Sequence, residues 1–344
     1  RLILCQESFP SAGFPHRRPY RQGYVYGRGG ALEGDMPDTI PKHCLSFDVE
    51  EHFQVSAFES PMRRRHWDQY ESRVEGNTEL LLELLGNRRV HATFFVLGWV
   101  AERCPSLVRR IASEGHEVAS HGYAHELITA QTPVAFREDI RRAKGILESV
   151  LSKPVLGYRA PSFSITKDTM WATQILVEEG YSYDSSIFPV LHDRYGVPSA
   201  NPEVHQLLTA SGLLWEVPPS TVRCLGVRVP VAGGGYFRLY PYALLRTLLR
   251  KLEGEGSSLV MYMHPWEFDP NQPRMEGSVV SRLRHYMNLD KTQDRLRALL
   301  QDFSFAPIRE VFPQTAQRRG VEVGAAIGAG GNSVSAASSD VLRN

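Results

Sequence analysis

The sequence predicts a parallel α/β fold, a closed or nearly closed barrel of about seven strands. Two observations carry this. Short apolar runs alternate with amphipathic helical patterns through most of the 344 residues. Residues capable of chemistry also recur at one place, the C-terminal end of each apolar run: Asp48 and Glu50, His121 and His125, Arg159, Asp184, and His264. A solvated surface does not order its His, Asp and Arg so regularly, whereas barrel enzymes assemble their sites at that end of the strands.

The elements follow in order. Residues 44–47 read as the first strand, and 78–85 as a helix that stops at Gly86-Asn87. Residues 91–97, rich in β-branched and aromatic side chains, read as a buried strand. Pro105 suits a first helical turn, with Leu107, Val108 and Ile111 on one face and Gly115 as the stop. A strand at 117–120, an amphipathic helix at 133–151, a short strand at 156–159 and a helix at 169–179 closed by Gly180 come next. Further strands are expected at 181–184, 213–217 and 258–263, and helices at 240–252 and 290–300. The run Gly233-Gly234-Gly235 lacks the Lys-Ser/Thr of a phosphate loop and reads as a tight turn. Residues 1–40, rich in Arg, Gly, Pro and Tyr, and the tail 316–344, rich in Gly, Ala and Ser, show no periodicity and are expected to be disordered.

Composition narrows the function classes. At 42% hydrophobic and 22% charged the chain is an ordinary globular protein with ample core. A net charge of +1 gives the chain as a whole no bias toward nucleic acid or anionic membrane. Four cysteines without CxxC spacing argue against a thiolate metal site and a disulfide framework. No stretch reaches the roughly 20 apolar residues of a membrane span. The start, Arg1-Leu2-Ile3-Leu4, is too short for a signal-peptide core and lacks a Met. The compartment is left open between cytoplasm and bacterial envelope, and the oligomeric state is not legible.

The chemistry centres on His121 and His125. Two neutral imidazoles at this spacing reach one metal ion, and a third protein ligand completes an open catalytic site. The carboxylates of the run Phe47-Asp48-Val49-Glu50-Glu51 supply candidates for a ligand and a base.

Five segments in order, Ser46-Phe47-Asp48-Val49-Glu50, Ser120-His121-Gly122-Tyr123-Ala124-His125, Tyr158-Arg159-Ala160-Pro161-Ser162, Tyr183-Asp184-Ser185-Ser186 and Met261-Tyr262-Met263-His264-Pro265-Trp266, resemble the polysaccharide deacetylases with a NodB-homology domain, carbohydrate esterase family 4. The stretches 232–241 and 264–268 resemble more narrowly the subfamily of exosortase-linked exopolysaccharide loci. The resemblance implies a distorted (β/α) barrel at 41–269, an extension at 270–315, and a divalent metal, usually zinc, held by two His and one carboxylate. His121 and His125 match the histidine ligands. The family's first motif commonly has two successive Asp, base then ligand. Here Val49 follows Asp48, so Glu50, returning to the same side of an extended strand, is expected as the ligand and Glu51 is expected to point away. Ser162 stands where many members carry an aromatic, with Phe163 next to it.

The implied activity is removal of N-acetyl groups from amino-sugar units of a polysaccharide or oligosaccharide. Asp48 is the expected base, paired with Arg159. The Ser162 backbone N–H is expected at the oxyanion, and His264 is the expected acid, oriented by Asp184. Trp266 and Leu97 are expected to wall the acetyl pocket. Two other readings stand beside it: a glycosidase pairing Asp48 with Glu51, and an inactive barrel that only binds carbohydrate.

Overall fold

The computed structural model describes residues 43–316 except 59, 193, 194 and 225, and says nothing of the side chains at 61 and 62. The disorder expected at 1–40 and 316–344 lies outside the described residues except at Ala316, which ends a short helical turn. Among the described residues there are eleven strands: β1 His43–Val49, β2 Thr93–Val96, β3 Glu117–Ser120, β4 Gly157–Tyr158, β5 Tyr183–Asp184, β6 His205–Thr209, β7 Gly212–Glu216, β8 Thr221–Cys224, β9 Val227–Pro230, β10 Val260–Met263 and β11 Phe305–Ala306. The main sheet runs β10-β1-β2-β3-β4-β5-β7-β6, with β11 also on β1. From β10 to β7 every pairing is parallel. These seven strands are the seven expected from the sequence. Four were not foreseen: β6, which forms an antiparallel hairpin with β7, the separate hairpin β8-β9, and β11, which pairs with β1.

Among the described residues no regular strand pair joins the two ends of the sheet. Ser220, shortly after β7, instead reaches β10, donating its N–H to Val260 O at 3.2 Å and accepting from Val260 N at Oγ at 2.8 Å. The mixed α/β architecture is as expected.

The sequence sets which way each side chain faces. β1 is buried along its whole length, as a parallel strand covered on both faces must be. With a period of two, Leu45, Phe47 and Val49 point outward into the core shared with the helices. Cys44 joins the inner cluster with Phe95, Ala119, Tyr183, Val217, Val260 and Ile308. Ser46 and Asp48 share that inner side, and Glu50 follows just past the strand.

Helices α1 Pro61–Arg64, α2 Val74–Gly86, α3 Gly98–Arg103, α4 Pro105–Ser113, α5 Pro133–Leu151 and α6 Trp171–Glu178 connect the first strands. They bury the stripes read from the sequence, among them Leu107, Val108 and Ile111 of α4 and Phe136, Ile140 and Leu147 of α5. The later helices are α7 Gly234–Leu239, α8 Tyr242–Gly254, α9 Val279–Tyr286, α10 Thr292–Asp302 and α11 Ile308–Val311. The Gly run is therefore more than a turn: Gly233, with φ of 101°, turns the chain, and its two neighbours begin α7. Cys44, Cys104 and Cys224 are free. Among the described residues no helix is long and apolar enough to cross a membrane.

Candidate metal centre and its surroundings

Glu50, His121 and His125 come together at the C-terminal end of the sheet, their ligand atoms within 4.8 Å of one another and all three buried. Each is fixed by its own segment. His121 directly follows β3, and its Nδ1–H donates to the Arg159 carbonyl at 2.8 Å, which leaves Nε2 as a lone-pair donor. Between the histidines, Tyr123 and Ala124 donate their N–H groups to Asp139 of α5 at 2.8 and 3.1 Å. That grip requires Gly122 (φ 76°), where a Cβ would lie 2.8 Å from Asp139 Oδ2. His125 itself is left-handed, at φ 49°, a costly conformation for a non-glycine residue and one that concentrates at functional sites. Glu50 receives the Trp266 indole N–H on Oε1 at 3.0 Å.

The donor set fits a divalent ion. Glu50 Oε2 is buried without a hydrogen-bond donor, although His125 Nε2 lies only 2.6 Å away. A carboxylate oxygen and an imidazole nitrogen packed so closely, with His121 beside them, suit a shared cation. Burial, with His125 adding to it, pushes His121 down to about 4 against the pull of Asp48 and Glu50, so it is the neutral base a metal ligand must be. Burial would raise the Glu50 carboxyl, but His125, His264 and His121 outweigh it and hold it far below the usual carboxylate range.

Asp48 is held apart from this cluster by Arg159. The guanidinium, fully buried, donates from Nη1 to Asp48 Oδ1 at 2.6 Å and to Ser46 Oγ at 2.9 Å. Its other edge donates to Ser185 O at 3.2 Å and Ser185 Oγ at 2.9 Å. His264, after β10, brings Nε2 to 3.9 Å from Asp48 Oδ2 and 3.8 Å from Glu50 Oε1. With its side chain 18% exposed, against 2–3% for the two carboxylates, His264 is the member of the group that meets solvent.

One expected position, Asp184, has other partners than those expected. Asp184 bonds the Ser186 hydroxyl and pairs with Glu216, its cross-strand neighbour, not with His264. Burial of this acid pair pushes Asp184 up to about 6 and Glu216 further. Ser186 Oγ in turn accepts from Ala160 N at 2.7 Å, so Asp184 supports the segment that carries Arg159. The carboxylate facing His264 is Glu267: its Oε2 accepts the His264 N–H at 3.2 Å, and its Oε1 stands 3.6 Å from His264 Nδ1. Burial opposes, but Glu267, Glu50 and Asp48 prevail and raise His264 to about 9. Leu97 is fully buried in the outer core just after β2. Ser162, half-buried and left-handed at φ 52°, joins its hydroxyl to that of Ser56 at 2.7 Å. Phe163 beside it packs on Tyr262 at 4.5 Å. Glu51 points away, accepting from Ser72 and from Arg73 N at 3.0 Å.

Glu267 leads to a second buried pair. Arg238 of α7 donates to Glu267 Oε1 at 3.1 Å and to the carbonyls of His285 and Met287 at 2.8 Å. His285 of α9 stacks on Trp266 at 4.1 Å and 14°. The sequence signal for Glu267 was its spacing: His264-Pro265-Trp266-Glu267 is a helix start with Pro at its first position and Glu reaching back to the first N–H.

Comparison with known proteins agrees with this arrangement. The family profile described as Polysaccharide deacetylase matches residues 66–183, and Domain of unknown function (DUF3473) matches 185–313. A peptidoglycan-N-acetylglucosamine deacetylase of Bacillus cereus is 34% identical over 98 residues, 28% of this chain and 36% of that protein. A chitooligosaccharide deacetylase of Rhizobium leguminosarum is 42% identical over 72 residues, 21% of this chain and 34% of that protein. The chain thus spans about a third of the length of these curated relatives. The crystal structure of a putative polysaccharide deacetylase from Mycobacterium smegmatis shares the fold, with TM-score 0.50 and 24% identity over 78% of this chain and 94% of that one. Strands of both matched segments belong to one sheet, so a polysaccharide deacetylase domain of the NodB-homology type, carbohydrate esterase family 4, at 66–183 continues into a DUF3473 segment at 185–313.

Proposed function

We propose that the protein is a divalent-metal-dependent N-deacetylase acting on N-acetylated amino-sugar units of a polysaccharide or its precursor. One observation carries the reading. Asp48 and Glu50 lie on one side of the chain but are separated in role: Glu50 completes a nitrogen-oxygen donor set with His121 and His125, while Arg159 holds Asp48 out of that set. A carboxylate ligand and a free carboxylate base are what metal-assisted amide hydrolysis needs.

Glu50, His121 and His125 would hold the ion, and two imidazoles with one carboxylate suit zinc. When bound, such an ion supplies Lewis-acid polarisation of the acetyl carbonyl and an acidified water. Asp48, oriented by its bond from Arg159, takes the proton of the attacking water. His264, at the mouth of the site and supported by Glu267, gives a proton to the departing sugar amine. The Ser162 backbone N–H stabilises the developing oxyanion. Trp266 orients Glu50 through its indole N–H and walls the acetyl pocket. The products are acetate and a free amine.

We further propose residues 41–269 as the catalytic unit with 270–315 as its extension, and a role in exopolysaccharide biosynthesis. The resemblance of 232–241 and 264–268 to that subfamily supports both.

The test is acetate release from N-acetylglucosamine oligomers, with and without chelator. Release that chelator abolishes and zinc restores is expected. New reducing ends without acetate would replace this reading with a glycosidase, and oligomer binding with neither product would replace it with a silent barrel. Glu51, spent on the 72–73 loop, weighs against the glycosidase.

A further inference from the structure

Helix α9 is amphipathic in the reverse sense. Its buried residues are polar, Ser281 at 5% and His285 at 4% exposure, while Val279, Val280 and Leu283 stand 81%, 56% and 65% exposed. At about 100° per residue, the three apolar side chains fall in one arc of about 100°, and Ser281 and His285 lie on the opposite side. Single exposed apolar side chains are ordinary, but three on one outward face are not. Arg284 borders this arc on one side and Arg282 on the other, both exposed. Arg274, also exposed, sits over the Tyr286 ring of the same helix at 4.1 Å. The one acidic residue between 274 and 286 is Glu276.

We propose that α9 docks the protein on an anionic lipid bilayer. An outward apolar arc flanked by arginines is the pattern of a helix that lies in the membrane interface: the apolar side chains enter the acyl boundary and the guanidinium groups meet lipid phosphates. The net charge of +1 conceals this face because the charges are local. A second copy of the chain is a poor occupant, since a two-fold contact would set Arg282 and Arg284 against their own counterparts. The inner side of α9 stacks His285 on Trp266, which donates to Glu50, so the helix and one indole ring would separate the bilayer from the metal centre. If the deacetylase reading holds, this suits an amino-sugar polymer carried at the same membrane. The docking itself does not depend on that reading.

The test is co-sedimentation of the full chain with vesicles of phosphatidylcholine alone and of phosphatidylcholine with phosphatidylglycerol. The wild type should pellet with the anionic vesicles, less so at high salt. The triple variant Val279→Ser, Val280→Ser, Leu283→Ser and the double variant Arg282→Glu, Arg284→Glu should each bind at least tenfold more weakly, with circular dichroism melts showing that both fold. A wild type that stays in the supernatant overturns the proposal. Variants that bind as tightly as wild type also overturn it, placing the contact elsewhere, for example on the Arg-rich stretch 17–21. A dimer in sedimentation velocity that the triple variant abolishes, with no vesicle binding, assigns the face to a second copy instead.

Discussion

Replacing Gly234 by Ala tests the Arg238–Glu267–His264 chain through a single methyl group. A Cβ at Gly234 would lie 1.6 Å from Glu267 Oε2, 2.0 Å from its Cδ and 2.1 Å from Oε1, so the carboxylate must leave its place. Leaving breaks its bond from the His264 N–H and its pair with Arg238, whose guanidinium is 2% exposed. Overpacking alone costs about 1–3 kcal/mol. A buried cation deprived of its partner costs about 3–5 kcal/mol. Since Arg238 keeps its two carbonyl acceptors, a net loss of about 3 kcal/mol is expected. The neighbouring Gly235 supplies the control. A Cβ there meets nothing within 4 Å, so Gly235→Ala should stay within about 1 kcal/mol of wild type, on the stabilising side because the position is helical. Urea unfolding with linear extrapolation reads both. Acetate release by the folded fraction of Gly234→Ala should fall about 100-fold, the share of a positioned general acid, with metal content unchanged. Equal stability and activity in the two alanine variants would mean that Glu267 holds neither Arg238 nor His264 in place.

Other predictions follow from the same contacts. Asp48→Asn should lower acetate release by about 10²–10⁴-fold while retaining metal, and should destabilise the fold by up to about 3–5 kcal/mol because Arg159 is fully buried; acetate assays and urea melts measure the two effects separately. Trp266→Phe keeps the stacking on His285 but loses the N–H to Glu50, so zinc affinity by chelator competition should weaken about 10–100-fold, with little change in melting temperature. His116 gives a pH signature away from the site. Its Nδ1 accepts from Ala92 N at 3.1 Å, and burial, aided by His91, lowers it to about 4. Between pH of about 6.5 and about 4 the unfolded chain binds a proton there that the folded chain refuses, so stability falls as pH falls through that window, by up to about 3 kcal/mol. His116→Gln should flatten that part of the stability-against-pH curve.

The seven parallel strands were legible because each is an apolar run long or β-branched enough to stand out, and the residues at their C-terminal ends drew attention together. Glu50 was legible from strand alternation once Val49 was recognised as apolar: Val49 packs in the outer core with Phe47, leaving the next residue to turn toward the histidines. Asp184 was misplaced for a physical reason. Order along the chain says that it ends a strand, but not which end residues meet across the sheet; its neighbours are Ser186 and Glu216, while Glu267, three residues from His264, holds that histidine. Asp139 was missed because an acid on an amphipathic helix reads as a solvated face, yet it grips the turn between the metal-centre histidines. Helix α9 was missed because its apolar residues face outward, so its pattern does not describe a face buried in this chain. The β6-β7 hairpin was half seen, since β6 alternates half-buried and exposed residues at the edge of the sheet.

As proposed, Glu50, not its neighbour Glu51, completes the metal centre with the two histidines. The direct measurement is metal stoichiometry after zinc loading and dialysis for wild type, Glu50→Gln and Glu51→Gln, each shown folded by circular dichroism. Wild type and Glu51→Gln should retain about one ion per chain and Glu50→Gln should lose it. Retention by Glu50→Gln together with loss in Glu51→Gln would contradict the account.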